Sequence, residues 1–205
     1  MPMIANGVYA DCGDRAYEAE TTYYLNFHII SALVSLSHLD KYEDDFEWEN
    51  QCQYYHYYCD HLLYSIGQIS NRFVKTDKDK SNITKRKDIN CKNYSFSSTY
   101  YHILSNKQAR NVIEHIDEYD QKIIAEKRGV GGFNLIDVDT EKELIEELKT
   151  RTDTHPYILD KQKKEILIRR NDEDMVISLE DLRRELLQLK GSVKSFMHMI
   201  SVNKL

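Results

Sequence analysis

The chain has 205 residues, of which 41% are hydrophobic, so it can bury the core of one domain with an appendage. Its 7 glycines and 2 prolines are too few for a turn-rich all-β protein and favour long helices. A net charge of −6 excludes a broadly basic surface for nucleic acid, so any contact with RNA has to be local.

Features of the termini and cysteines indicate the compartment. No apolar run is long enough to span a membrane, and the N-terminal segment lacks the basic start and apolar stretch of a signal peptide. The cysteines are too few and too scattered for a disulfide framework. They are Cys12, Cys52, Cys59 and Cys91. We therefore expect a cytoplasmic protein with reduced thiols and no membrane association.

Two long helices are predicted in the first third of the chain, because apolar residues recur at spacings of three and four from about Ala16 to Leu39 and from about Asp44 to Val74. The buried stripe expected for the first helix comprises Tyr24, Phe27, Ile30, Leu33 or Val34, and Leu36 or Leu39. The stripe expected for the second comprises Trp48, Cys52, Tyr55, Cys59, Leu62, Ile66, Ile69 and Phe73.

A basic segment interrupts the pattern at residues 75–95. It carries seven Lys or Arg and three Asp and almost no apolar residues, which predicts a loop. One interpretation is a solvated linker. The other is a flap that guides RNA, in which Lys85, Arg86 and Lys87 contact phosphates.

After residue 95, the sequence again contains patterns that predict helices. A short helix is expected from Ser97 to Leu104. Ser105 and Gln108 then fit a capping box at the start of a helix that runs to about Arg128. Residues 129–137 are expected to form a flexible loop, and residues 140–151 a charged helix.

The C-terminal part changes character. Short β-rich runs over residues 157–177 predict a small β-hairpin or a three-stranded meander. Ser178 and Asp181 then cap a final helix over roughly 179–200. Its expected stripe comprises Leu182, Leu186, Leu189, Val193, Phe196, Met197 and Ile200. We expect a helical domain over 1–137, with the basic loop at 75–95, and an appendage over 138–205 packed on it.

The helix after Ser105 carries the side chains best suited to chemistry. Its polar face, opposite the apolar side, comprises Arg110, Asn111, Glu114, His115 and Glu118. An arginine fork fits a phosphate, a histidine exchanges a proton near neutral pH, and an asparagine between them can orient an oxygen. RNA supplies its own nucleophile, the 2′-hydroxyl, so cleavage by this face needs neither metal nor cofactor.

A single histidine cannot easily serve as base and acid in one step. Two copies of the helix paired across a twofold axis would supply two histidines and two arginines to one cleft. A homodimer is therefore expected.

The run R-N-V-I-E-H, from Arg110 to His115, resembles the R-x-x-x-x-H signature of the HEPN superfamily. The similarity extends to the helix order over roughly residues 15–130. It implies a mainly α fold: a bundle of four to five helices, here followed by the β-hairpin and the final helix. It also implies a dimeric, metal-independent endoribonuclease of toxin–antitoxin or phage-defence systems, with an antitoxin or a defence-complex protein as a possible partner. Arg110, Asn111 and His115 would be catalytic, with Glu114 and Glu118 auxiliary.

Other interpretations stay open. The motif can belong to a catalytically silent HEPN-like dimer that scaffolds or senses, or to an ordinary solvated helix face with a Glu114–Arg110 pair. Some HEPN toxins have a regulatory tyrosine where this chain has Asp117, so control through that position is not expected. A third option is a zinc-stabilised regulator built on Cys52, His56 and Cys59, although a buried thiol is usually only a small apolar group. The tyrosines around His56 could stack on bases or pack in an interface.

Overall fold

A computed structural model describes residues 13–41, 48–106, 108, 134–136, 157–170 and 173–202. This part of the chain is mainly helical, with four helices and a small four-stranded sheet. The helices are α1 (Gly13–Leu39), α2 (Trp48–Phe73), α3 (Ser81–Asn93) and α4 (Leu179–Val202). The strands are β1 (Asn134–Ile136), β2 (Tyr157–Asp160), β3 (Glu165–Arg170) and β4 (Glu173–Ser178). Within these residues, no helix combines the length and apolarity needed to cross a lipid bilayer.

The second long helix buries the stripe that its periodicity predicts. Side chains at spacings of three and four along α2 are inaccessible to solvent, as expected for one apolar face against a core. The confirmed members are Tyr55, Cys59, Leu62, Ile66, Ile69 and Phe73. The side chains of Trp48 and Cys52 lie outside the described residues.

The stripe predicted for α1 is wrong at Phe27, Ile30 and Val34, which are 57%, 43% and 48% exposed. It is confirmed at Leu36 and Leu39, which are buried, and Leu33 packs against the core. The buried side also carries residues outside the predicted stripe, namely Leu25, Ile29 and Ala32. Since α1 is apolar on two sides, a 3.6-residue period fits either side and cannot by itself choose the buried one.

The basic segment contains a helix where a loop is predicted. α3 occupies residues 81–93 of the 75–95 segment. It is held by polar side chains rather than by an apolar stripe: the Lys87 ammonium donates to the Val74 carbonyl at 2.8 Å, and the Asn90 amide donates to the Arg72 carbonyl at 2.9 Å. Hydrophobic periodicity therefore gives no sign of this helix.

Residues 97–104 form successive turns instead of the predicted short helix. Tyr101, Ile103 and Leu104 of this segment are nevertheless buried in the core. The ring of the preceding Phe96 stacks there on the rings of Phe73 at 4.0 Å and Tyr101 at 4.6 Å between centroids. Aromatic packing of this kind stabilises an irregular segment without helical hydrogen bonds.

The predicted C-terminal meander is confirmed and gains a strand. β2, β3 and β4 pair antiparallel in sequence order, while β1 pairs parallel with β2. β1 falls within the 129–137 segment predicted as a flexible loop. Its pairing with Ile158–Asp160 joins residues far apart in the chain, which local sequence patterns do not report.

The final helix is also confirmed. The Ser178 hydroxyl accepts a hydrogen bond from the Asp181 amide at 3.2 Å, as an N-cap does. Five members of the predicted stripe share one core with α1, α2 and the sheet: Leu182, Leu186, Leu189, Val193 and Phe196. Met197, by contrast, is half exposed, and the Ile200 side chain lies outside the described residues.

Candidate functional site

The predicted catalytic helix is described only at its beginning. Gln108 is helical, and Arg110 follows two residues later in the sequence. The five predicted catalytic and auxiliary residues lie outside the described residues: Arg110, Asn111, Glu114, His115 and Glu118.

The start of this helix is capped by Asn106 rather than by Ser105. The Asn106 carboxamide oxygen accepts a hydrogen bond from the Gln108 amide at 2.9 Å, the arrangement of a side-chain N-cap. The Ser105 hydroxyl instead donates to the His102 carbonyl at 3.3 Å. The predicted helix start is therefore shifted by one residue, and its cap is an asparagine.

A buried carboxylate anchors the turn that leads into this helix. Glu185 of α4 is only 7% exposed. Its two oxygens accept the backbone amides of Ile103 and Leu104, both at 3.0 Å. Two charge-assisted hydrogen bonds in a buried place fix the backbone just before Gln108.

The three predicted RNA-contact residues lie on α3 but in different surroundings. Lys85 and Arg86 are exposed, and the Arg86 guanidinium stacks over the Tyr17 ring at 4.6 Å from its centroid. Both side chains therefore offer a positive charge to solvent.

Lys87 is instead part of the interior, with 5% of its surface exposed. Its ammonium donates to an Asp79 carboxylate oxygen at 2.8 Å as well as to the Val74 carbonyl. Hydrogen bonds from Lys87 and from the Thr76 amide hold the pKa of Asp79 at about 2. Lys87 thus links α3 to the residues that follow α2, and it presents no charge to a phosphate.

The basic segment 75–95 also carries cations that are paired with carboxylates. Lys75 pairs with Asp88 at 2.5 Å across the start and middle of the basic segment. Of the seven basic residues there, two are therefore occupied by carboxylates, and the outward charge of α3 comes mainly from Lys85, Arg86 and Lys92.

A surface groove of mainly apolar character lies between α1 and α2, and sequence reasoning missed it. It has a volume of about 580 Å³. The residues that line this α1–α2 groove are Tyr23, Asn26, Phe27, Ile30, Ser31, Val34, Ser35, Tyr57, Tyr58 and His61. The tyrosine run in α2 was the available signal, but only the fold places it beside the outward side of α1.

Of the side chains proposed for zinc, that of Cys52 lies outside the described residues, and those of Cys59 and His56 are engaged otherwise. Cys59 is fully buried, and burial raises the pKa of its thiol. The His56 ring lies 3.3 Å from one carboxylate oxygen of Asp60, whose other oxygen accepts the Tyr157 hydroxyl at 2.5 Å. Among the described residues, no group of three or more His, Cys, Asp or Glu is arranged to hold a metal.

The chain matches no family model, no curated protein and no solved structure.

Proposed function

We propose that the chain is a metal-independent endoribonuclease of the HEPN type, which acts as a homodimer in phage defence or as a toxin. The observation that carries the proposal is the run R-N-V-I-E-H, which begins two residues after the helical, Asn106-capped Gln108. The mainly helical architecture of the described residues supports it.

The chemistry follows from the three side chains. His115 removes the proton from the RNA 2′-hydroxyl, which attacks the adjacent phosphorus. Arg110 stabilises the charge that develops on the phosphoryl oxygens, and Asn111 orients the scissile group. The His115 of a second copy protonates the leaving 5′-oxygen. The products are a 2′,3′-cyclic phosphate and a 5′-hydroxyl.

Exposed cations on α3 support contact with the RNA backbone. Lys85 and Arg86 supply sequence-independent attraction in a chain whose net charge is −6. We propose that these two residues bind phosphates next to the scissile one.

The first test is cleavage of end-labelled RNA in EDTA by wild type and by His115→Ala, with the fragment ends mapped. His102→Ala is the matched control because His102 is exposed and makes its turn contact through its backbone. The proposal expects cyclic phosphate ends with wild type and the control, and none with His115→Ala. A requirement for divalent metal, or 5′-phosphate ends, would refute the mechanism.

The second test concerns the α3 cations. A Lys85→Gln/Arg86→Gln double variant should weaken RNA binding and lower the slope of log affinity against log salt by about 1 per lost phosphate contact. Lys194→Gln, at an exposed position on α4, is the control and should leave the slope unchanged. An unchanged slope in the double variant would remove these residues from the RNA interface.

A non-enzymatic function is the second candidate: an HEPN-like dimer that scaffolds or senses within a defence complex. The observation in its favour is the acidity of the motif, since Glu114, Asp117 and Glu118 would repel phosphate. Expression in cells separates the two. Toxicity that His115→Ala abolishes favours the nuclease, and equal tolerance of both forms favours the module.

A further inference from the structure

The outward side of α1 exposes apolar side chains that a monomer would ordinarily bury. Tyr23 is 63% exposed, and Tyr57 on α2 is 56% exposed. With Phe27, Ile30 and Val34 they form one continuous surface around the α1–α2 groove.

The size of this surface suits the apolar centre of a protein interface. A large aromatic side chain has roughly 150–250 Å² to bury, so three aromatic rings more than half exposed, with Ile30 and Val34, present on the order of 400 Å² of apolar area. Isolated monomers rarely expose a contiguous patch larger than a few hundred Å², and a standard dimer buries about 800 Å² per partner. The groove therefore supplies about half of one side of such a dimer.

Charge points to a second copy as the occupant. Among its described lining residues there is no Asp, Glu, Lys or Arg, although 30% of the chain is charged. A strongly charged partner finds no complementary group here. An uncharged, tyrosine-rich surface can face its own copy without like-charge repulsion, and this composition is that of an interface core.

The arrangement of these side chains permits pairing across a twofold axis. Tyr23, Phe27, Ile30 and Val34 follow one another at spacings of four, three and four along α1, which makes them a ridge. The groove lies beside this ridge, between it and Tyr57 of α2. A twofold axis lets the ridge of each copy enter the groove of the other.

We propose that the α1–α2 groove is the interface of a homodimer, filled by the same face of a second copy of this chain. The inference shares with the proposed function only the expectation of a twofold dimer. Its own evidence is the groove, and its test measures mass rather than cleavage.

The experiment is sedimentation equilibrium of the purified full chain, with Phe27→Glu as the test variant. At about 10 μM chain, wild type is expected to be a dimer, and Phe27→Glu is expected to raise the dissociation constant by about 100-fold or more because it buries a carboxylate in an apolar interface. Leu187→Glu is the matched control, since Leu187 is 52% exposed on α4, away from the groove. Circular dichroism and thermal unfolding verify that each variant is folded.

Each outcome decides the proposal. A wild-type dimer that Phe27→Glu dissociates and Leu187→Glu leaves intact supports it. A monomeric wild type at about 100 μM overturns it, as does a dimer that Phe27→Glu fails to weaken or that Leu187→Glu weakens equally. RNA cleavage is assayed separately, so a groove-mediated dimer without cleavage refutes the proposed function alone, and a cleaving protein that dimerises elsewhere refutes the interface alone.

Discussion

Removing the carboxylate of Glu185 should loosen the turn that leads into the predicted catalytic helix. The side chain is buried, and each of its oxygens accepts one backbone amide, from Ile103 and from Leu104. In Glu185→Ala both amides lose this acceptor in a place with little access to water. The substitution therefore tests whether α4 fixes the backbone of the 97–105 turns.

The magnitude follows from the two orphaned donors. A buried amide left without a partner costs about 1–3 kcal/mol, and relief of the desolvation of the carboxylate offsets part of the sum. We expect Glu185→Ala to lower the free energy of unfolding by about 2–4 kcal/mol. For a chain of this size that corresponds to a fall in Tm of roughly 5–15 °C. Glu185→Gln should lower the free energy of unfolding by less than Glu185→Ala does, because its amide group retains one acceptor oxygen.

Urea unfolding followed by circular dichroism measures these differences, with all variants at one protein concentration because dimerisation shifts apparent stability. Gln188→Ala is the control: it lies one turn further along α4 and is exposed, so its effect should stay within about 0.5 kcal/mol. The reasoning is refuted if Glu185→Ala is no more destabilised than Gln188→Ala.

Three further predictions concern Tyr157, Asp79 and Cys59. Tyr157→Phe removes the hydrogen bond from β2 to Asp60 of α2 and should lower the free energy of unfolding, measured in urea, by about 1–2 kcal/mol. An unchanged urea midpoint would contradict this. The pKa of Asp79 lies at about 2, below its ordinary 3.8, so the stability its ionised form contributes is complete above about pH 4 and lost as the pH falls toward about 2. The Tm difference between wild type and Asp79→Asn should shrink over that interval, and a constant difference would exclude the ion pair as its cause. Cys59 should resist alkylation until the protein is denatured, because burial raises the pKa of its thiol; rapid labelling by iodoacetamide in the native state, read by peptide mass, would refute this.

The parts of the fold that sequence predicts correctly are those fixed by local pattern. α2 carries one apolar stripe, and α4 adds the Ser178 cap to another, so residue spacing alone locates both helices and their buried faces. The meander follows from alternation and turn residues, and each strand pairs with its neighbour in the chain.

The parts that sequence misses depend on contacts distant in the chain. α3 is stabilised by Lys87 and Asn90, whose partners are a carboxylate and backbone carbonyls that no hydrophobic pattern reveals. β1 exists through pairing with β2, across more than twenty residues. Helix, loop and strand propensities are weak where such tertiary contacts decide.

In the candidate site, too, residue type and spacing predict some residues, whereas the surroundings of others depend on the fold. Residue types and spacing suffice to nominate Arg110 and His115, because arginine, histidine and RNA chemistry fit one another without knowledge of the fold. Spacing cannot tell an exposed cation from a buried one, so Lys85 and Lys87 look equivalent in sequence although only Lys85 faces solvent. The difference arises because Asp79 lies beside Lys87.

The error in α1 and the proposed interface have one physical origin. Periodicity assigns Phe27, Ile30 and either Leu33 or Val34 to a buried face. The described chain leaves Phe27, Ile30 and Val34 exposed while Leu25 and Ile29 enter the core. Apolar residues at helical spacing over about three turns, from Tyr23 to Val34, are costly on a solvated surface, because they favour association with any apolar partner. A second copy removes that cost if the α1 ridges interlock, because α1 then buries one face in the core of its own chain and the opposite face in the dimer interface.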